Sequence, residues 1–590
     1  MLTKKGKYGL KALVHLARLP AGQLAFVNDV ATGNNIPKKF LDAILGELRN
    51  AGFVQSRKGK DGGYRLARPA DEIKVGHVVR VLDGPLAPIP CASRTQYQRC
   101  EDCNEARCQV RHLMLEVRQA IADADRQVVE RDIAHFGEAA QSEGMPMTGR
   151  ANSIIIVGGG ASGVVLAAHL LKSPNPDLRV TLIERRPHFG QGIAYSTLLS
   201  AHVLNVSAAG MSAYADDPGN FWRWLQERGL ATAEEAPFYA PRSIYARYLG
   251  ELLVDLEARE KQSGRLRLIR EESLSITPTA SGVEVALANG TSVVAHLAVL
   301  ATGHDEEPAQ GHAIRMGSEA DTALPPGAGV MVLGTGLSMV DAFLALEQRG
   351  HRGDIIAVSR RGLLPSPHRK GNPIKLDVAD IPLGTQLSYF VGWFRDLIKE
   401  NQKAGIDWRD VVDGLRPFNQ KIWQNWPASA KRRFVEHTKA WWDIHRHRMA
   451  PEVYARVTEA VQSGRIRLVA GRVVDIARNG EFTVQVQSRH TQRLETFEVA
   501  RIYDCSGIVR DISTSSNSVV RSLVDRGLAR PDPLRIGLDV STKCEIIAGD
   551  GTVSAKILAV GPLTRGTFFE IDAIPDIRVQ CARLSKQLLG

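Results

Sequence analysis

What the chain lacks narrows its possibilities first. No apolar run in its 590 residues approaches the roughly 18 that a membrane-spanning helix needs, so no membrane span is expected. Its start, MLTKKGKYGLKALVHLA, is basic and then amphipathic, without the apolar stretch and small-residue cleavage site of a secretory leader. A cytoplasmic chain is therefore expected. Cysteine is scarce, at seven, and the three beyond residue 150, Cys505, Cys544 and Cys581, stand far apart. That excludes the paired redox thiols of a disulfide reductase. Acid is scarce at the front: residues 1–80 hold six Asp and Glu against fifteen Lys and Arg, and so carry nine of the net +11. The rest of the chain is nearly neutral. A basic surface confined to one small domain points to a polyanion partner for that domain alone.

At this length two to four domains are expected. The clearest motif is Ser153–Arg186, SIIIVGGGASGVVLAAHLLKSPNPDLRVTLIERR. An apolar strand, Ile154–Val157, runs into Gly158-x-Gly160-x-x-Gly163, and an apolar helix pattern follows. A second strand ends on Glu184. Gly158 suits the tight turn, Gly160 the close approach of backbone to a pyrophosphate, and Gly163 the close packing of helix on strand. Ala161 and Ser162 sit at the helix N-terminus, whose free N–H groups and dipole favour phosphate. Glu184, with Arg185 beside it, is placed to meet a ribose.

A second unit begins at Val330–Leu333 with Gly334-x-Gly336, and Ser338 opens its helix. Met339 replaces the third glycine. Its next strand ends on Ser359-Arg360-Arg361, where the first ends on an acid. An acid would repel a 2′-phosphate and arginine would attract it. FAD is therefore expected at the first turn and NADPH at the second; a degenerate, empty second site is the alternative. Asn205, in a segment of small residues, is a candidate for backbone approach to the flavin ring. Small-residue turns after strands, Thr302-Gly303 and the one ending in Gly507, would let the chain pass a cofactor. Gly561 precedes a C-terminal helix that could close the FAD site. Between the halves of this pattern, residues 381–460 read as a Trp-rich helical insertion, either core or substrate-facing. Arg446 and His447 within it are candidate catalytic groups.

The N-terminal 136 residues read differently. An amphipathic first helix, a helix at Val27–Thr32 and a third helix started by Pro37 suggest a helix-turn-helix. Lys38 and Lys39 mark the exposed start of the third. Arg57, Lys58, Lys60 and Tyr64 lie in a glycine-tipped, two-stranded wing, and all six are candidate DNA contacts. Four cysteines follow, Cys91, Cys100, Cys103 and Cys108, with His112 as a second candidate for the last ligand place. Such clustering favours metal or redox chemistry. An iron–sulfur cluster is placed ahead of zinc, with an unmetallated thiol or disulfide switch the further alternative.

The stretch IPKKFLDAILGELRNAGFVQSRKGKDGGYRLARPADEI resembles the winged-helix regulators of the IscR/NsrR/CymR family, over about residues 1–135. That resemblance implies homodimers on a partly palindromic double-stranded DNA operator. The seam would be Leu113, Val117, Ala120, Ile121 and Val128, and several members hold an iron–sulfur cluster through three cysteines of this loop. Here the cysteine spacing departs from the usual one, and the first helix has no Asp or Glu to serve as a further ligand.

The motifs IIIVGGGASG, GQGIAYST, LNVSAAGMS, VLGTGLSMVD, SRRGLLP, WDIHRHR and AVGPLTRG resemble FAD/NAD(P)-binding flavoproteins of the flavin-monooxygenase and N-hydroxylase superfamily. The expected fold is thus multidomain: an α-rich winged helix-turn-helix (1–136), a linker (137–152), then an α/β, Rossmann-type, two-dinucleotide flavoprotein. Its expected parts are a first FAD-binding part (153–327), an NADPH unit (328–380), the insertion (381–460) and a closing FAD part (461–590). The resemblances imply an FAD-dependent, NADPH-using oxidoreductase or monooxygenase fused to a regulator, its small-molecule substrate unassigned. The rival is a transcription factor whose flavin domain senses NADPH or oxidant without turning over.

Overall fold

Two apolar β-runs, each followed at once by a glycine turn and a helix, organise the larger part of the chain. The computed structural model describes residues 3–20, 23–57, 62–84, 91, 108, 114, 152–232, 238–304, 311–318, 320–507 and 511–589. The expected dimer seam, and Lys58, Lys60, Cys100, Cys103 and His112, lie outside them. The chain divides into two compact units: Met1–Pro146 with Gly371–Thr438, and Met147–Lys370 with Lys439–Gly590.

In the first unit, helices Lys4–Ala17, Val27–Asn34 and Lys38–Ala51 enclose a core of Leu13, Ile44, Leu45, Leu48 and Phe53. The Thr3 hydroxyl caps the first helix by accepting from the N–H of Lys5 and Gly6. Pro37 is the residue before the third helix, not its first turn: at ψ 125° it is still extended. Strands β1 (Val54–Arg57) and β2 (Gly63–Leu66) pair antiparallel as the wing, and helix Val75–Asp83 closes the bundle. The inserted segment adds helices Leu387–Lys403, Trp408–Leu415, Asn419–Asn425 and Ala428–Arg433. Trp423 and Trp426 are buried here, Trp426 edge-on to Phe390 at 5.2 Å. These two tryptophans are core, whereas Trp441, in the other unit, is exposed.

The second unit contains β3 (Ser153–Val157), β4 (Arg179–Glu184), β5 (Leu266–Arg270), β6 (Ser273–Pro278), β7 (Val283–Leu287), β8 (Ser292–Ala295) and β9 (Leu297–Leu300). They are followed by β10 (Val330–Leu333), β11 (Ile355–Ser359), β12 (Ile466–Asn479), β13 (Glu481–Ser488), β14 (Leu494–Val499), β15 (Arg501–Asp504), β16 (Glu545–Ile547) and β17 (Val553–Ala559). One sheet runs β16-β17-β9-β3-β4-β5, parallel except at β16. The other runs β14-β13-β12-β11-β10-β15, with β12, β11, β10 and β15 parallel. Strands β6, β7 and β8 form a small antiparallel sheet. Strand β12 is 14 residues long because it leaves parallel pairing with β11 and continues as an antiparallel hairpin with β13.

This topology places the sites. The chain leaves β3 for β4 on one side and has β9 on the other; likewise β10 lies between β11 and β15. Ligands of open α/β sheets bind outside the carboxyl ends of strands at such reversals. Gly158 and Gly334 stand at those two ends. Among the described residues no helix is long and apolar enough to cross a membrane.

Candidate functional site

At the first reversal Gly158 has φ +106°, and a Cβ there would lie 2.5 Å from the Ala301 carbonyl oxygen. Only glycine fits both the conformation and the gap. A Cβ on Gly163 would come within 1.9 Å of the Gly158 oxygen, so helix Ala161–Leu170 sits directly against the turn. Gly160 precedes that helix, and no side chain caps it. Its first N–H groups are left to a ligand, the arrangement suited to a pyrophosphate.

Around this turn opens a cleft lined by Gly158, Gly160, Ala161, Ser162, Glu184, Arg185, Thr302 and Gly303. Eight expected cofactor residues thus share one cavity. Gly561, at φ +71°, brings the C-terminal turn onto it: a Cβ there would meet the Ser162 hydroxyl at 2.5 Å. Gln580 holds that turn by accepting from the Gly561 N–H at 2.8 Å. Glu184 is buried and already ordered. Its carboxylate accepts from the N–H of Gly159 at 2.7 Å and of Arg186 at 2.9 Å. A cleft with a Cβ-free floor, an uncapped helix end and a fixed carboxylate fits FAD.

Asn205 is elsewhere. Its carbonyl oxygen accepts from His368 Nε2 at 2.8 Å, and it lines a separate small pocket beside helix Leu337–Gln348. It does not line the cleft around the first turn.

A charged group that carried no expectation in the sequence lies at the same cleft. His304 and Asp572 both line it. The Arg565 guanidinium, itself buried, donates to His304 Nδ1 at 2.7 Å and to Asp572 Oδ1 at 2.9 Å. An Nδ1 that accepts leaves the proton on Nε2, so this histidine is neutral. Burial, opposed by Asp572 and assisted by Arg565, pulls its pKa down to about 4. His304 follows Gly303 directly and Arg565 lies in the AVGPLTRG motif, so both were within reach of the motifs; Asp572 carries none.

The expected catalytic pair is positioned by Glu570, a buried residue held at φ +60°. Arg446 is buried and donates to Glu570 at 3.2 Å, and the Trp442 indole N–H donates to the same carboxylate. His447 Nε2 lies 3.9 Å from both Glu570 and Asp443. Burial lowers its pKa, against the pull of Glu570. Arg446 therefore has a structural ion pair, while His447 is only half-buried.

The second turn repeats the first. Gly334 has φ +117°, and a Cβ would lie 2.2 Å from the Cys505 oxygen. Gly336 precedes helix Leu337–Gln348 without a side-chain cap, and open space surrounds it. Ser338 is exposed on the first turn of that helix, and Met339 is fully buried. The Thr335 hydroxyl donates to the Leu363 oxygen at 2.6 Å and pairs with the Ser359 hydroxyl at 2.9 Å. Ser359 Oγ also accepts from the Gly362 N–H, which folds Arg360 and Arg361 back at the strand end. Arg489, from the β13–β14 hairpin, donates to the Arg360 oxygen at 3.4 Å. Burial, with Arg360 and Arg489 close by, lowers the Arg361 pKa. Three arginines converging here fit a phosphomonoester.

On the winged helix, Lys38, Lys39 and Arg57 are exposed. Tyr64 is half-buried, its ring against the core and its backbone paired with Ala25. Cys91 is buried and Cys108 half-buried. No group of three or more candidate metal ligands occurs among the described residues.

Residues 155–305 match a family described as FAD-NAD(P)-binding, and residues 2–134 match Rrf2, described as iron-dependent transcriptional regulators. A Rhodobacter capsulatus protein named as an rrf2-like HTH-type transcriptional regulator is 45% identical over 121 residues, 20% of this chain and 81% of the relative. CymR, an HTH-type transcriptional regulator of Bacillus subtilis, is 30% identical over 140 residues, 24% of this chain and 94% of its own. A Kutzneria ornithine N-hydroxylase structure, with reduced FAD, NADP+ and L-ornithine, aligns with TM-score 0.52 at 16% identity. It spans 75% of this chain and 99% of that one, which establishes a shared fold. Through its N-terminal part the chain belongs to the Rrf2 family of transcriptional regulators, joined in one polypeptide to an FAD/NAD(P)-binding flavoprotein fold.

Proposed function

We propose that the second unit is an FAD-dependent oxidoreductase of the monooxygenase type that takes hydride from NADPH, and that the first binds operator DNA as a homodimer. The observation that carries the oxidoreductase reading is the pair of glycine turns whose following strands end in opposite chemistry. Gly158, Gly160, Ala161, Ser162, Gly163 and Glu184 would hold FAD, with Arg185, Thr302, Gly303 and Gly561 enclosing it. Gly334, Gly336, Ser338, Ser359, Arg360 and Arg361 would hold NADPH. When bound, the flavin supplies hydride acceptance and electron delivery to dioxygen or another acceptor. The chain's own work is to position and to exclude water. His304, neutral and donating from Nε2, can serve as a hydrogen-bond donor in the cleft, and Arg565 and Asp572 fix its ring. His447, half-buried beside Glu570, is the group best placed to move a proton, and Arg446 orients Glu570.

The DNA reading rests on the exposed Lys38, Lys39 and Arg57 around a helix and wing. Cys91, Cys100, Cys103 and Cys108 would ligate an iron–sulfur cluster. One experiment addresses both cofactors: the visible spectrum and iron content of protein purified without oxygen, followed by NADPH addition in air. A flavin spectrum and continuous NADPH consumption are expected. A colourless protein that neither takes up FAD nor consumes NADPH would end the enzyme reading.

A second reading, a sensor that is reduced once without turnover, draws support from one observation. The segment inserted between β11 and β12 belongs to the DNA-binding unit.

A further inference from the structure

That inserted segment grips the winged helix where its reading elements meet. The Gln386 N–H donates at 3.0 Å to the carbonyl of Ala51, the last residue of helix Lys38–Ala51. The Arg68 guanidinium, two residues beyond wing strand β2, donates to the Gly384 carbonyl and lies 4.8 Å from the centre of the Phe53 ring. Burial pulls its pKa down to about 10, as expected of a guanidinium held out of water. His77, on helix Val75–Asp83, is 1% exposed and packs on Gly384. A Cβ there would lie 2.3 Å from its Nδ1, and Gly384 has φ +69°. Tyr389 joins the winged-helix core. The segment thus touches the recognition-type helix, the wing exit and the closing helix together.

The stem of the same segment is pinned in the second unit. Outgoing and returning chains are bonded at Ser366 N–H to Ile444 oxygen (2.9 Å), His368 N–H to Met449 oxygen (2.8 Å) and Met449 N–H to Ser366 oxygen (2.9 Å). The outgoing chain starts at Leu363, whose oxygen holds the hydroxyl of Thr335, the middle residue of the second glycine turn. On the returning chain, Arg446 is tied to Glu570.

We propose that residues 371–438 are an arm through which occupancy of the second dinucleotide cradle sets the affinity of the winged helix for DNA. This rests on reading that cradle as an NADP site. A nucleotide seated on Gly334–Gly336 alters the surroundings of Thr335, hence of Leu363 and the stem. The arm then changes the angle between recognition helix and wing. Coupling of this kind is reciprocal: DNA must change NADP+ affinity by the same factor.

The test uses the full chain and a duplex selected with it from a random-sequence pool. DNA affinity is measured by fluorescence anisotropy with and without saturating NADP+, and NADP+ binding by calorimetry on the same protein, with and without the duplex. A shift of about fivefold or more, equal in both directions, is expected. Gly384→Val should bring that ratio to near one while leaving NADP+ affinity without DNA unchanged. Arg68→Met should reduce it, and decides the matter if Gly384→Val does not fold. NADP+ binding with no change in DNA affinity overturns the arm, as does the full ratio surviving in both variants or a chain that binds no duplex. Absence of NADP+ binding in the calorimeter is a distinct result, and removes the nucleotide reading together with the coupling.

Discussion

The two glycine turns of the second unit are built alike and finish differently. In both, a glycine near φ +110° lies so close to a neighbouring strand's carbonyl that any side chain would collide, and an uncapped helix follows. They diverge at the third position. Gly163 lets its helix touch the turn, whereas the buried Met339 fills that place in the second. They diverge again at the strand end, where a carboxylate fixed by two backbone N–H groups faces one cleft and three arginines gather at the other. On the proposed reading, phosphate cradling would come from backbone geometry shared by both turns, and discrimination from a few side chains at the strand ends that are not shared.

The largest effects should separate the two turns. Gly158→Val places atoms against the Ala301 carbonyl and should lower bound flavin at least tenfold, read from absorbance per chain. Gly334→Val should keep the flavin and slow its reduction by NADPH about 100-fold or more, in stopped flow. Equal loss of flavin in both variants would abolish the distinction. Next in size, Arg360→Glu with Arg361→Glu should raise KM for NADPH about 100-fold and leave KM for NADH within about threefold. Glu184→Gln keeps one acceptor oxygen where two backbone donors need two, and should weaken FAD about tenfold in a fluorescence titration. The smallest effect is in pH. With the folded His304 near 4 and an unfolded histidine near 6.5, the unfolded chain binds more protons between those values. The His304 contribution is therefore complete above about pH 6.5 and is lost as pH falls toward 4. Thermal unfolding of the full chain should drop by roughly 3 °C more from pH 7 to 5 than in His304→Gln.

What was legible in the sequence was what local chemistry dictates. Glycine turns, the strands feeding them and the charge at the strand ends lie within about 30 residues of one another, so spacing alone predicts them. The winged helix was legible for the same reason. The partner of the Asn205 carbonyl, His368, was not, because a run of small residues cannot say which neighbour takes it. The Arg565–His304 pair spans 261 positions, and no periodic pattern marks it. The grip of Arg68 on Gly384 spans 316. Tryptophans at helical spacing left core and substrate-facing readings open, because spacing does not say which neighbours Trp423 and Trp426 meet.

The DNA-binding unit is assembled from two stretches of chain separated by more than 200 residues. During synthesis its first piece leaves the ribosome early and must wait for the second. At about 5–20 residues per second, the 354 residues from Gly84 to Thr438 take roughly 20–70 s to be made. Over that interval Arg68, His77 and the end of the third helix lack their covering. A nascent chain halted before residue 371 would present that bare face to chaperones, and only a chain translated past residue 438 could complete the regulator.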